Sequence, residues 1–232
     1  MPLPRLLDVA SSMFTTVSRL GAGVQARRPA HRPEKPLELY EFEGCPFCRK
    51  VRDALTELDL EVMVYPCPHN GIVHRPKAIE LGGKSQFPYL VDPNTGTRMY
   101  ESDDIIAYLF KTYGGREPGM LLRGTFATAS SMLASAFRPT GGTQAHGSRQ
   151  PAKPLELWSF EASPFCRIAR EALCELELPY LLHNVGKDSA GRPALVARAG
   201  KMMVPYLVDP NTGREMFESA EIRQYLYATY GA

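Results

Sequence analysis

The residues best suited to chemistry lie together at Cys45-Pro46-Phe47-Cys48-Arg49. Two cysteines at this spacing either bind a metal or act as a reactive dithiol. Zinc needs further ligands, and the nearest, Cys67, His69 and His74, fit no usual spacing. The flanking sequence points to reactivity. Leu37-Glu38-Leu39-Tyr40-Glu41-Phe42 alternates apolar and polar residues, the period of a half-buried strand, and Glu43-Gly44 breaks it. Val51, Ala54, Leu55 and Leu58 then recur at helical spacing. The cysteines therefore fall where a strand ends and a helix begins. Pro46 suits the first helical position, where a missing N–H costs nothing. Cys45 is then the N-cap, facing unpaired N–H groups and the positive end of the helix dipole. That setting favours the nucleophilic thiolate, and Arg49 adds positive charge one turn on.

Composition limits where such a thiol would work. The 232 residues are enough for one large or two small domains. A content of 44% hydrophobic and 22% charged residues is ordinary for a globular protein. The net charge of +2 implies no strong attraction to nucleic acid or membrane, and no apolar run approaches the ~20 residues of a membrane helix. Five cysteines, an odd number without disulfide-scaffold spacing, favour a reducing compartment, and a cytoplasmic location is expected.

The chain is also internally duplicated. Pro36-Leu37-Glu38-Leu39 returns as Pro154-Leu155-Glu156-Leu157, and Cys45–Arg49 returns as Ser163-Pro164-Phe165-Cys166-Arg167. Pro88–Gly96 recurs unchanged as Pro205–Gly213, and Tyr100-Glu101-Ser102 recurs as Phe217-Glu218-Ser219. A spacing of about 118 residues, as from Cys48 to Cys166, is too long for a solenoid and marks two copies of one domain. Residues 1–35 are poor in acids and rich in Arg and Ser, as an organelle transit peptide would be, and the location would change if residues 1–30 were one. Yet Ala10-Ser11-Ser12-Met13 recurs mid-chain as Ala129-Ser130-Ser131-Met132, which a leader has no reason to do. Leu6, Met13, Val17 and Leu20 form a helical stripe, as do Leu122, Phe126, Met132 and Phe137. The expected organisation is a leading helix and tether (1–35), a first domain (36–114), a second leading helix and tether (115–153) and a second domain (154–232).

Within each domain the order is β-α-β-α-β-β-α, with the first two strands parallel across their helical crossover. In the first, Glu61–Tyr65 is the second strand and Arg75–Leu81 a short helix ended by Gly82-Gly83. Tyr89–Val91 is a strand closed by the Asp92–Gly96 turn, and Ser102–Tyr113 is a helix with Ser102 as N-cap and Gly114 as its end.

This order, with its CPFC motif after the first strand, resembles the thioredoxin fold of glutaredoxins and of the N-terminal domain of glutathione transferases. More narrowly, it resembles glutathione transferases with two tandem N-terminal domains and no helical C-terminal domain. The likeness covers most of 36–114 and 154–231 and leaves the leading helices unexplained. It implies an α/β protein of two tandem thioredoxin-like domains, each preceded by an amphipathic helix. Phe87-Pro88 is similar to the family's cis-proline, which would turn the Phe87 backbone toward the peptide part of glutathione. Glu101 would pair with the ligand's α-amino group and Ser102 with its carboxylate, at a helix N-terminus suited to anions. Phe47 and Arg49 would complete this site. Phe165, Arg167, Val204, Pro205, Glu218 and Ser219 would form a second one. Ser163 replaces Cys45 there and resembles the serine by which some glutathione transferases hold the glutathione thiolate.

The expected function is a glutathione-dependent thiol-disulfide oxidoreductase. Cys45 would attack a disulfide or glutathionylated thiol, and Cys48 would be a resolving thiol. The alternatives are conjugation of electrophiles to glutathione held by Ser163 or Cys45, a glutathione or iron–sulfur binding module, and a pseudo-dimer with one active unit. Glutathione is the expected ligand and no resident metal is expected. Cys166 and Cys174 read as buried residues, and Cys67 as either a loop cysteine or a neighbour of the first site.

Overall fold

The computed structural model describes residues 5–232; the first four residues of the leading segment lie outside it. Helix α1 (Arg5–Ser18) comes first. The first domain then runs β1 (Leu37–Glu41), α2 (Pro46–Glu57), β2 (Val62–Pro66), α3 (Arg75–Gly82), β3 (Tyr89–Asp92), β4 (Thr97–Met99) and α4 (Ser102–Leu109). Helix α5 (Gly124–Ala136) precedes β5 (Leu155–Ser159), α6 (Pro164–Glu175), β6 (Tyr180–Asn184), α7 (Arg192–Ala199), β7 (Tyr206–Asp209), β8 (Arg214–Met216) and α8 (Ser219–Tyr230). The predicted order holds in both domains. Two helix ends differ from expectation. Glu101, not Ser102, is the N-cap of α4, and α4 continues as a π-helical turn, Phe110–Gly114, that ends at Gly115 with φ +61°.

Strands β1 and β2 are parallel, and β3 and β4 add antiparallel beyond β1. The second domain repeats this. The two half-sheets join through an antiparallel β2–β6 pair into one eight-stranded sheet, β4-β3-β1-β2-β6-β5-β7-β8. Met63 faces Leu181, its own repeat equivalent, so an internal twofold passes between them. Each domain thereby covers the strand edge that it would expose alone. One continuous core of Leu37, Leu39, Leu55 and Ile105 with Leu155, Leu157, Leu173 and Ile222 spans both domains. Alternate strand residues such as Tyr40 and Trp158 point to smaller clusters that include Ala78 of α3 and Leu195 of α7.

The unchanged repeat Pro88–Gly96 is a fastening of the fold. Asp92 accepts hydrogen bonds from Tyr108 (2.6 Å) and Tyr113 (2.5 Å), and Asn94 bonds the Lys35 backbone at the start of β1. Asp209 and Asn211 repeat this with Tyr225, Tyr230 and Lys153.

The leading helices are exchanged between the domains. Ser12 Oγ of α1 donates to the Pro164 carbonyl of α6 (2.8 Å), and Ser131 Oγ of α5 donates to the Pro46 carbonyl of α2 (2.6 Å). The tethers follow: Gly44 N–H donates to Gly142 O and Ala162 N–H to Gly23 O. Gly142 has φ +61°, and a Cβ there would lie 2.5 Å from that of Glu43, so glycine is required twice over. Most of each apolar stripe faces outward. Asp8, Ser12, Thr15 and Arg19 of α1 and its extension are buried, while Leu6, Met13, Val17 and Leu20 are exposed. The reason lies in α2 and α6, which offer α1 and α5 ionised side chains and first-turn carbonyls rather than an apolar face. Arg19 pairs with Asp53 (2.8 Å), and Arg138 pairs with Glu171 and with Asp8 (2.6 Å).

Candidate functional site

The strand-to-helix junction of the first domain places Cys45 as predicted. Its backbone is extended (φ −72°, ψ 123°), Pro46 opens the helix, and Cys45 Sγ accepts a hydrogen bond from the Cys48 N–H at 3.3 Å. Burial pushes the Cys45 thiol up; the Cys48 thiol and the N–H groups of Cys48 and Phe47 outweigh this and hold it below the ordinary thiol value. Cys48 is fully buried, and burial together with the neighbouring Cys45 sulfur raises its thiol well above that value. The pair is thus one thiol shifted toward the thiolate and one held protonated.

The predicted cis-proline lies against Cys45. The Phe87–Pro88 bond is cis, and the Phe87 carbonyl oxygen lies 4.0 Å from Cys45 Sγ. Phe47 is half-exposed beside it in sequence. Glu101 has φ +66° and ψ 109°, a conformation that side chains rarely adopt. Its exposed carboxylate at the start of α4 accepts from Gln86 Nε2 at 2.5 Å, and Ser102 is buried as the first helical residue. Lys50, on α2, ion-pairs with Asp103 of α4 at 2.5 Å and bonds Thr128 of the exchanged α5 at 2.9 Å. Sequence reasoning missed Gln86, Lys50 and Asp103. The signal available was their place beside predicted site residues.

The second domain reproduces the frame. Ser163 Oγ accepts from the Cys166 N–H at 3.3 Å, Val204–Pro205 is cis, and Glu218 has φ +68° and ψ 110°. Phe165, Val204, Pro205, Glu218 and Ser219 line one cavity of ≈ 200 Å³. Met203, the equivalent of Gln86, is its sixth lining residue.

Two predicted ligand residues lie elsewhere. Arg49 and Arg167 are buried between the domains and do not face either site. Arg49 pairs with Glu161 at 3.4 Å, and Arg167 donates to the Ser12 carbonyl at 2.7 Å and to Ser12 Oγ at 3.0 Å. They belong to a cluster on the internal twofold. There Arg52 binds Glu41, Glu43 and Glu161, while Arg170 binds Glu43 (3.0 Å) and Glu161 (2.8 Å). Their carboxylate partners come largely from the other domain, which no reading of one domain reveals. Burial pushes Glu161 up, and Arg170, Arg52 and Arg49 reverse this to about 2.

The remaining cysteines are structural. Cys67 is buried with Tyr40, Ala78 and Tyr89, and burial raises its thiol. Cys166 is fully buried, and Cys174 donates to the Gly142 carbonyl at 3.3 Å, holding the exchanged tether. Among the described residues, no group of three or more His, Cys, Asp or Glu could hold a metal ion, and no helix is long and apolar enough to cross a membrane.

Two thioredoxin-like domains in tandem, each with a cis-proline and a strained glutamate as the N-cap of its last helix, define the class of protein. Residues 39–117 and 157–232 both match the glutathione S-transferase N-terminal domain model. The chain therefore belongs to the glutathione S-transferase family and carries that domain twice. No curated protein matches it. Among solved structures it is similar to the Bombyx mori glutathione transferase BmGSTD1 (30% identity, 37% of this chain and 39% of that one, TM-score 0.31). The same Bombyx mori protein in complex with GTT gives 28% identity, 36% of this chain and 39% of that one, TM-score 0.32. Similarity extends to Leishmania TDR1, described as a unique trimeric glutathione transferase (13% identity, 85% of this chain and 68% of that one, TM-score 0.31). The chain thus spans about 39% of the length of the Bombyx mori protein.

Proposed function

We propose that the first domain is a glutathione-dependent thiol transferase with Cys45 as nucleophile. The observation that carries this reading is the Cys45 thiol, lowered at the N-cap of α2 and 4.0 Å from the Phe87 carbonyl, with Cys48 held protonated behind it. Glutathione would lie along the Phe87 backbone. Its α-amino group would pair with Glu101, and its γ-glutamyl carboxylate would meet Ser102 and the free N–H groups of α4.

In the first step the Cys45 thiolate attacks the glutathione sulfur of a mixed disulfide. A Cys45–glutathione disulfide forms, and the substrate leaves as a thiolate that takes a proton from solvent. In the second step the thiolate of another glutathione attacks the bound glutathione sulfur. Oxidised glutathione leaves and the Cys45 thiolate returns. Cys48, fully buried and protonated, is not needed for this cycle. Cys45→Ser should abolish transferase activity on a glutathionylated substrate, and Cys48→Ser should retain most of it. Full activity of Cys45→Ser would refute the mechanism.

The second domain supports a non-covalent variant of the same site. A serine cannot form the mixed disulfide, but its hydroxyl can donate to a glutathione thiolate and lower the thiol's pKa. The cavity of the second domain has Phe165, Met203, Val204 and Pro205 in its wall, which suits an apolar electrophile. Conjugation of such an electrophile should survive Cys45→Ser and be lost in Ser163→Ala. Loss in the former and survival in the latter would reject this second reading.

A further inference from the structure

Helices α1 and α5 are amphipathic in the wrong sense for a free surface. Every exposed position of α1 from Leu6 onward is apolar, and no exposed position of α5 is charged. The two helices pack together, with Phe14 stacked on Phe137 at 5.8 Å between ring centroids. Their outer surface carries Leu6, Phe14 and Val17 (85, 60 and 68% exposed) beside Phe126, Leu133 and Phe137 (53, 54 and 43% exposed). With Leu7, Met13 and Met132 included, ordinary side-chain areas make this a patch on the order of 1,000 Å². The largest apolar patch of a typical monomer is about 300–600 Å².

We infer that this face is an interface between two copies of the chain, which form a four-helix bundle of α1 and α5 from each. Three observations choose a second copy as the occupant. First, the area reaches the ~800 Å² per partner of a standard stable interface, and its lack of charge is typical of homodimers. Second, the face is related to itself by the internal twofold. Ser12 and Ser131 make equivalent bonds to the Pro164 and Pro46 carbonyls, and the repeat makes Phe14 and Leu133, and Met13 and Met132, equivalent outward positions. A twofold dimer uses the same patch on both copies, and a surface with its own approximate twofold meets that demand with α1 opposite α5 of the partner. Third, a helix that lies on a lipid surface keeps a charged face toward the headgroups. Here Asp8, Arg19 and Arg138 are ion-paired inside the protein and cannot do so. The proposal is independent of the reaction assigned to either site.

Sedimentation equilibrium on the full chain, at low to mid micromolar concentration, tests this. The wild type should weigh twice 25.8 kDa, and the Phe14→Glu/Leu133→Glu double variant should weigh 25.8 kDa with an unchanged far-UV spectrum. Four buried charges in the bundle should weaken association by more than about 100-fold. Val17→Glu alone, a smaller change at an outward position, serves if the double variant does not fold. A monomeric wild type would overturn the proposal. So would a dimer that survives whichever of these variants folds. So would a wild type that stays monomeric in solution and pellets with phosphatidylcholine–phosphatidylserine vesicles.

Discussion

Glu101 offers a test that separates strain from ligand binding. Its φ of +66° and ψ of 109° put Cβ where side chains are rarely tolerated, and Glu218 repeats the geometry at φ +68° and ψ 110°. Such a conformation costs a side chain about 1–3 kcal/mol. Glu101→Ala and Glu101→Gly both remove the carboxylate and the Gln86 hydrogen bond, but only glycine also removes the Cβ strain. Glycine gives back about 0.5–1 kcal/mol through its freer unfolded chain. The glycine variant should therefore be about 1 kcal/mol more stable than the alanine variant, or about 2–4 °C in melting temperature for a chain of this size. Both should lose the charge-assisted bond to the ligand's amine. At about 1.5–3 kcal/mol, that weakens glutathione binding by the order of 10–100-fold at the first site. Scanning calorimetry and isothermal titration with glutathione measure the two effects separately. Equal melting temperatures would refute the strain argument. Unchanged first-site affinity in both variants would refute the placement of the ligand's amine.

Two further predictions follow from the electrostatics. Alkylation of Cys45 in the native protein should show a pH–rate midpoint below the ~8.5 of an ordinary thiol, with Cys48 unreactive; a midpoint at or above that value would contradict the N-cap argument. Because the folded value is depressed, this group adds stability above its unfolded value, and that stability is lost as pH falls through the folded value. Glu161→Gln removes a carboxylate held at about 2, against an ordinary 4.5, so the loss should be about 3 kcal/mol, or about 6–12 °C in melting temperature near neutral pH. The Glu161 contribution is complete above about pH 4.5 and disappears toward pH 2, so wild type and variant should converge in acid, and a drop under about 2 °C at pH 7 would refute the ion cluster's role.

What the sequence revealed was local. Strand alternation, Pro46 at the helix start and the Asp92–Gly96 turn are short-range patterns, and each appears where it was read. The duplication exposed the leading helices, because Ala10–Met13 recurs where no leader belongs. Periodicity then predicted two helices but not which face of each is buried. A helical stripe shows that one face differs from the other but does not show which one the protein buries. The polar face goes inward here because Arg138 must reach Glu171 and Arg19 must reach Asp53. Arg49 and Arg167 failed for the same reason, since Glu161, which pairs with Arg49, and Ser12, which binds Arg167, are each more than a hundred residues away. Glu101 as a cap was also illegible, because a non-glycine residue at positive φ is the least expected choice for that position.

The differences between the two domains carry the functional argument further than their similarities. The cradle is kept in both: cis-proline, strained glutamate and a capped helix start. The changes surround the cap. Cys45 is paired with Ser163, Glu41 with Ser159, Lys50 with Ile168, Asp103 with Ala220 and Gln86 with Met203. The replacements of Glu41, Lys50 and Asp103 remove charge from the second site, and those of Lys50, Asp103 and Gln86 also make it more apolar. These differences fit the proposed division between a thiol site for polar disulfides and a hydroxyl site for apolar compounds. The exchanged helices tie the two helix caps together. The carbonyl of Pro46, next to Cys45, is held by Ser131 from beyond the first domain, and that of Pro164, next to Ser163, by Ser12 from before the first domain. Neither domain contains all the residues that position its own helix cap, so each site is built by the whole chain.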